Sequence, residues 1–437
     1  MTHNPVLAAL ITGSTLILTA GCATQDPSST KVADIRFTQL NVFDGTSFVK
    51  RDLCIRQNLI VDCASGAVDT VDMGNAFVTP PFGDAHTHHF DGSFTLDWHI
   101  GLAIQSGAFY FMTMTAPTEY VGEIRGKLNG PGRIDVASAT GGITGPESHP
   151  AEIYEALALG HRSYEAQLKF QEEIRASQRM ADNAYYVLED ETDIVEKWPL
   201  IQNGSPDLIK VFLRHSHRYD EGFGKWGPGG GMNPNLLSAV RKKSKENGLR
   251  LAVAASHIED YRASVRVGAD ILTHLPCYQD TEVEPNSPYY NEDFAEDCLL
   301  SDDDANDAAE INMVNTLIVT EWVKPRKSKY VEWEQANVNR LIGAKAPLAF
   351  GSNQYGSTMT AGLIAGAEKR FLPANEILKI ATMDSPKAIF PERKVGCLDY
   401  GCEASFIAFA ENPIEDFRAI ETITYRLKGG IVLNPKP

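Results

Sequence analysis

Thr79-Pro80-Pro81-Phe82-Gly83-Asp84-Ala85-His86-Thr87-His88-His89 reads as a short strand, entered through a proline pair and left through a cluster of imidazoles. Side chains at i and i+2 of a strand share a face, so His86 and His88 project together, with Asp84 one step deeper. Two neutral imidazoles at that spacing can hold one divalent metal. An isolated His-x-His is more often a solvent-facing pair. What decides between the two is whether the rest of the chain repeats the pattern of a strand ending in a ligand.

It does. From residue 80 to 391 strand-like and helix-like segments alternate, with candidate strands at 82–88, 108–113, 134–139, 208–213, 249–255, 270–274, 316–320 and 347–351. Helical patterns fall between them at 151–159, 164–181, 235–247, 258–267 and 330–343. Eight strands alternating with helices predict an α/β chain built as a (β/α)8 TIM barrel, whose chemistry collects at the C-terminal ends of the strands. His86 and His88 close strand one, Lys210 is a lone cation inside the apolar fourth strand, His257 ends the fifth and His274 the sixth. Singly, each has a plainer reading: a hydrogen-bonded surface imidazole, or a lysine reaching outward between helices. Together, four histidines and a lysine at four strand ends predict one site.

On either side of this middle the texture is β-like. Short apolar runs separated by Asp44-Gly45 and Ser65-Gly66 precede it, and Ala404–Phe409, 422–425 and 430–433 follow it. The expected organisation is a small β-sandwich from residues 35–79 plus 395–437, and a barrel from residues 80–394.

With 57 acidic residues against 40 Lys and Arg, the formal charge is −17, which excludes a nucleic-acid partner on electrostatic grounds. Residues 1–22 read as a targeting segment: an apolar run from Pro5 to Ala20 leads to Leu18-Thr19-Ala20-Gly21-Cys22, which resembles the lipobox of bacterial lipoproteins, although no Lys or Arg precedes it. Residues 23–34 form a polar linker. This predicts export to the bacterial cell envelope, facing the periplasm, with a lipid anchor on Cys22 as the sole membrane contact. The six remaining cysteines suit an oxidising compartment, and sequence neighbours suggest Cys54–Cys63, Cys277–Cys298 and Cys397–Cys402.

With these residues in place the chain resembles the metal-dependent amidohydrolase superfamily, close to its imidazolonepropionase-like and Xaa-dipeptidase-like branch. The resemblance rests on the His-x-His, on Gly142-Ile143-Thr144-Gly145-Pro146-Glu147-Ser148-His149-Pro150, on Gly351-Ser352-Asn353-Gln354-Tyr355-Gly356, and on Val395–Leu398 with Gly401–Phe406. It implies that His86 and His88 bind one divalent metal and His257 and His274 a second, bridged by N-carboxylated Lys210. Zinc is the default ion, one or two per chain. It further implies hydrolysis of a carbon–nitrogen bond in a small-molecule amide, cyclic amide or dipeptide-like substrate, with His149 and Tyr355 contacting that substrate.

At strand eight the family carries an aspartate that takes the proton of the attacking water, and this chain has Asn353. A neutral amide cannot serve as a general base near pH 7. His149, His215, His217 and Asp302-Asp303-Asp304, the last expected on the loop before strand seven, are the alternatives, His149 first among them. A second reading is attack by metal hydroxide without a base, giving a slow enzyme, and a third is a barrel that binds a ligand without hydrolysing it. Gly227–Gly231 is a candidate lid; without the lysine and hydroxyl of a phosphate loop it does not suit a nucleotide.

Overall fold

A computed structural model describes residues 35–63, 69–221, 231–277, 298–324 and 328–434. The targeting segment, the linker and residues 227–230 of the candidate lid lie outside them.

Chain entry builds five strands: β1 (Ile35–Phe43), β2 (Phe48–Lys50), β3 (Leu53–Arg56), β4 (Leu59–Val61) and β5 (Asp69–Thr79). β1 runs through a stretch whose apolar pattern breaks at Gln39. There a bulge with φ 55° shifts the register between Thr38 and Leu40, and pairing with β5 resumes beyond it.

Two parallel sheets follow. β6 (Phe82–Thr87), β7 (Ala108–Thr113) and β8 (Asp135–Ser138) form the first, every residue of all three buried, as expected of strands covered on both faces. The second joins β9 (Gly142–Thr144), β10 (Tyr185–Val187), β11 (Leu208–Phe212), β12 (Arg250–Ala254), β13 (Ile271–Leu272), β14 (Val314–Ile318) and β15 (Leu348–Gly351) in the order β10-β9-β11-β12-β13-β14-β15. β9 and β10 have three residues each, too few to show a period, and were not expected from sequence. Backbone bonds link the two sheets at two places: Asp207 N donates to Ser138 O at 2.8 Å, and Asn353 N to His86 O at 2.7 Å. A Cβ on Gly351 would lie 2.6 Å from that of His86, so only glycine lets β15 approach β6 this closely. Parallel strands that follow chain order from β6 to β8 and from β11 to β15, with helices between them, fit a TIM-barrel domain.

The chain then returns to its first sheet through β16 (Phe406–Phe409), β17 (Ile423–Lys428) and β18 (Ile431–Val432), giving the order β18-β17-β16-β5-β1-β3-β4 with β2 on β1. Both chain ends therefore contribute to one mixed sheet, which has its own apolar core around Phe37, Val42, Val78 and Phe406. A buried ion network ties this sheet to the parallel strands. Lys428 Nζ, on β17, lies 2.8 Å from Asp135 Oδ2 of β8 and 2.7 Å from Glu403 Oε1, while Arg393 pairs with both carboxylates.

Three expectations need correction. The helix anticipated over 164–181 is two, Tyr164–Lys169 and Gln171–Ala176, divided at Phe170. The seventh strand ends at Ile318, and residues Val319–Trp322 turn as a 3-10 helix. Asp302-Asp303-Asp304 is not loop: it opens the helix Asp302–Glu310 behind the N-cap Ser301, where three carboxylates favour the positive end of the helix dipole. The three suggested disulfides are all present. Among the described residues no helix is long and apolar enough to cross a membrane.

Candidate active site at the ends of the parallel strands

β6 delivers His86 into the interior, 3% exposed, and His88 just beyond the strand end. His86 Nδ1 lies 2.6 Å from the carbonyl oxygen of Thr273, which follows β13, so this nitrogen carries the proton and Nε2 presents a lone pair. Lys210 projects from the middle of β11, 1% exposed, and donates to Thr273 Oγ1 at 2.7 Å. One threonine thus positions both groups. The His86 ring sits 5.5 Å from that of His88 and stacks at 6.0 Å on that of His274.

The electrostatics confirm that these side chains share one space. Burial holds His86 well below the usual imidazole range, and Lys210, His88 and His274 push it further down. Burial brings His88 to about 4, against an opposing hydrogen bond from Asn353. His274 is lowered by burial, then by Lys210 and Arg214. Lys210 itself falls well below the ordinary lysine range through burial and the charge of Arg214. All three imidazoles are therefore neutral at pH 7, the form that binds cations.

His257 behaves differently. It caps the helix Ile258–Arg266, its Nδ1 accepting the Glu259 N–H at 3.1 Å. Its ring neighbours are His217 at 3.7 Å and His215 at 6.2 Å. So His86, His88, His274 and Lys210 come together, while His257 packs with the two histidines after β11.

Asn353 follows β15 with φ 47°, a left-handed conformation that asparagine tolerates, and its Oδ1 lies 3.0 Å from His88 Nε2. His149 follows β9. Its Nδ1 lies 2.7 Å from Glu152 Oε1, and its ring meets Phe212 edge-on at 5.0 Å. Burial lowers His149 while Glu152 opposes the shift, and the imidazole in turn helps hold Glu152 below its ordinary range. The electrostatic neighbours of His149 include Lys210 and Arg214, and it acts in turn on His88 and His274, which places it at the same mouth. Tyr355 is 47% exposed at the rim, its ring 5.1 Å from His99. Asp304 is committed elsewhere, to Arg262 Nε at 2.9 Å.

Sequence reasoning missed Asp260. Fully buried, its carboxylate accepts from His215 N and Ser216 N at 2.8 Å and from Ser256 N and His257 N at 3.0 Å, clamping the segment after β11 to the one after β12. The available signal was its place at the third position of a helix behind a capping residue. Glu152 and Thr273 also went unnoticed; Glu152, three residues past His149 at the start of a helix, was the more legible.

No three His, Cys, Asp or Glu side chains among the described residues form a metal-holding group. Beside His86 and His88 the third donor falls to Lys210 or Asn353, neither of which is of those types. Within that limit the donors suit a cation: neutral imidazoles, one of them oriented by a carbonyl, around an amine that burial disposes to lose its proton.

No family model and no curated protein matches this sequence. Solved structures do. A Xaa-Pro dipeptidase with bound methionine superimposes with a TM-score of 0.66 at 17% identity, covering 92% of this chain and 100% of that one. An amidohydrolase gives 0.65 at 13% identity, with 92% and 99% covered. The ochratoxinase of A. niger gives 0.63 at 15% identity, with 92% and 95% covered. The chain therefore has the fold of these amidohydrolase-type proteins over nearly its whole described length.

Proposed function

We propose that the protein is a metal-dependent hydrolase of a carbon–nitrogen bond, acting on an amide, cyclic amide or dipeptide-like compound from the bacterial cell envelope, where Cys22 anchors it. The chain is read as a closed (β/α)8 barrel over residues 80–394 with a β-sandwich from 35–79 plus 395–437. The observation that carries the function is the convergence of neutral His86, His88 and His274 on the buried amine of Lys210. The names of structures with this fold, a dipeptidase among them, support the reaction class.

His86 and His88 would hold one ion, zinc by default, with Lys210 beside them. A neutral amine is the form that adds carbon dioxide to become a carbamate, and the burial that lowers Lys210 favours that form. A second ion on His257 and His274 is less favoured: His257 Nδ1 already accepts the helix N–H, so its proton resides on Nε2 and a metal there forfeits the cap. When bound, the ion supplies Lewis acidity toward the carbonyl under attack.

The proton of the attacking water goes to His149. With Nδ1–H donated to Glu152, Nε2 is the basic nitrogen, and a positioned base of this kind contributes about 10²–10⁴ in rate. Asn353 holds the His88 ring and takes no proton. That same contact favours the second reading, a binding protein on an amidohydrolase scaffold, because the amide covers a nitrogen that a metal needs.

A panel of N-acyl amino acids and dipeptides separates the two. The hydrolase reading expects turnover that a chelator abolishes and zinc restores; absence of turnover on zinc-loaded protein would leave the binding protein.

A further inference from the structure

Four aromatic side chains stand exposed on segments that follow β6, β7 and β15, the first and last of which lead into His88 and Asn353: Phe94 at 78%, Trp98 at 49%, Tyr120 at 40% and Tyr355 at 47%. They are not scattered. Trp98 and Tyr355 lie 6.3 Å apart at 62°. A Cβ on Gly92 would lie 3.3 Å from the ring of Phe94 and 3.4 Å from Tyr120, so these two flank the same glycine. Gly356, at φ 81°, lets Trp98 lie flush on the loop after β15, where any Cβ would strike the indole. The hydroxyl of Tyr355 is engaged by Thr95 and Asp91, which fixes its ring.

Rings continue inward from this rim. His99 lies 5.1 Å from Tyr355 and 5.0 Å from Trp98, and His89 lies 4.7 Å from His99. His89 adjoins His88, and Tyr355 is two residues from Asn353. Tyr355 thus stands at the rim two residues from Asn353, with the buried rings of His99 and His89, 1% and 2% exposed, packed beneath it. Exposed apolar groups gathered in one patch mark a binding site rather than ordinary surface. Two rings set at a steep angle form a corner that offers one face and one edge to a third ring, the arrangement aromatic groups prefer.

We propose that this corner is a substrate subsite that takes a flat aromatic ring carried next to the scissile amide, so that aroyl amides are the preferred class. The proposal rests on the hydrolase reading for the word substrate, though not for the binding it requires. The probes are N-benzoylglycine and N-acetylglycine, titrated by calorimetry into zinc-loaded protein. The benzoyl compound is expected to bind about tenfold more tightly, the margin that ring contacts and their buried area supply. In Trp98→Ala that ratio should fall to near one, and Gly356→Ala, which displaces the indole, should lower it in the same direction. Circular dichroism reports whether each variant is folded, and Trp98→Leu replaces any that is not.

Equal affinities in the parent overturn the proposal. So does a ratio that survives loss of the indole, or no binding of either compound at millimolar concentration. Turnover answers the separate question. A Trp98-dependent preference for the benzoyl compound without cleavage keeps the subsite and removes the hydrolase; cleavage of acetyl compounds with no aromatic preference does the reverse.

Discussion

His88 Nε2 lies 3.0 Å from the side-chain oxygen of Asn353, and this contact governs what the site can do. The backbone of Thr115 also hydrogen-bonds the ring. A neutral imidazole carries one proton, so if that proton faces Thr115, the amide presents its NH2 to Nε2, an orientation related to the first by a half-turn of the amide. In both orientations Asn353 covers the nitrogen through which His88 would meet a cation. Metal binding at His88 therefore competes with this hydrogen bond.

Asn353→Asp reverses that competition. A carboxylate attracts the cation that the amide excludes and adds a proton acceptor beside His88. Metal retention after dialysis should rise, and kcat on an N-acyl amino acid should increase by about 10², the lower end of what an added base contributes. If the variant is active and the parent wholly inactive, the parent is not a hydrolase of this class.

The His149–Glu152 pair makes a prediction about pH. Burial places His149 below the usual imidazole range, so its basic form persists as pH falls through 6.5 and the acid limb of kcat lies lower than an exposed histidine would give. Glu152 raises the His149 value, hence Glu152→Gln should move the acid limb further down in pH. His149→Ala should lower kcat by about 10²–10⁴. A kcat profile unmoved by Glu152→Gln would show that His149 is not the base.

Asp260 is a test of architecture. Asp260→Ala strands four buried backbone N–H groups, and at about 1–3 kcal/mol for each unmet group, reduced by relaxation, roughly 3–5 kcal/mol of stability should be lost. Asp260→Asn should lose less, since its amide oxygen still accepts. Urea unfolding of the two variants measures the difference.

The ends of the parallel strands were legible in sequence for identifiable reasons. β7 is apolar up to its last residue and β11 apolar but for Lys210, and their limits, like those of β6, were read to within a residue. His86, His88 and His274 declared themselves by standing at or just beyond the ends of strands. What remained hidden was whatever depends on contacts between distant segments. Thr273, positioning His86 and Lys210, acts partly through a backbone oxygen that any residue would supply. His257 has the same local setting as His274, yet its nitrogen is taken by its own helix, a competition that spacing does not reveal. At Gln39 the bulge breaks the apolar pattern of β1 as a gap between strands would, so spacing alone does not distinguish the two.

Buried titratable groups make stability depend on pH. His88, His89 and His99 are held near 4, 3 and 4, chiefly by burial, below their unfolded value. Between pH 6.5 and about 4 the unfolded chain therefore binds protons that the native state refuses, and stability falls as pH is lowered through that window. Asp84 works in the opposite direction: burial raises it to about 7, so its contribution is complete below pH 3.8 and is lost as pH rises toward 7. In chelator-treated protein, Asp84→Asn should therefore steepen the rise of the unfolding midpoint between pH 4 and 6.5. A slope left unchanged would mean that Asp84 is ionised in the native state.

Metal content bears on the central claim most directly. Protein loaded with zinc, dialysed against metal-free buffer and measured by mass spectrometry should retain about one ion per chain, and His86→Ala, His88→Ala and Lys210→Met should each retain far less. A parent protein that retains no more zinc than His86→Ala would contradict the account.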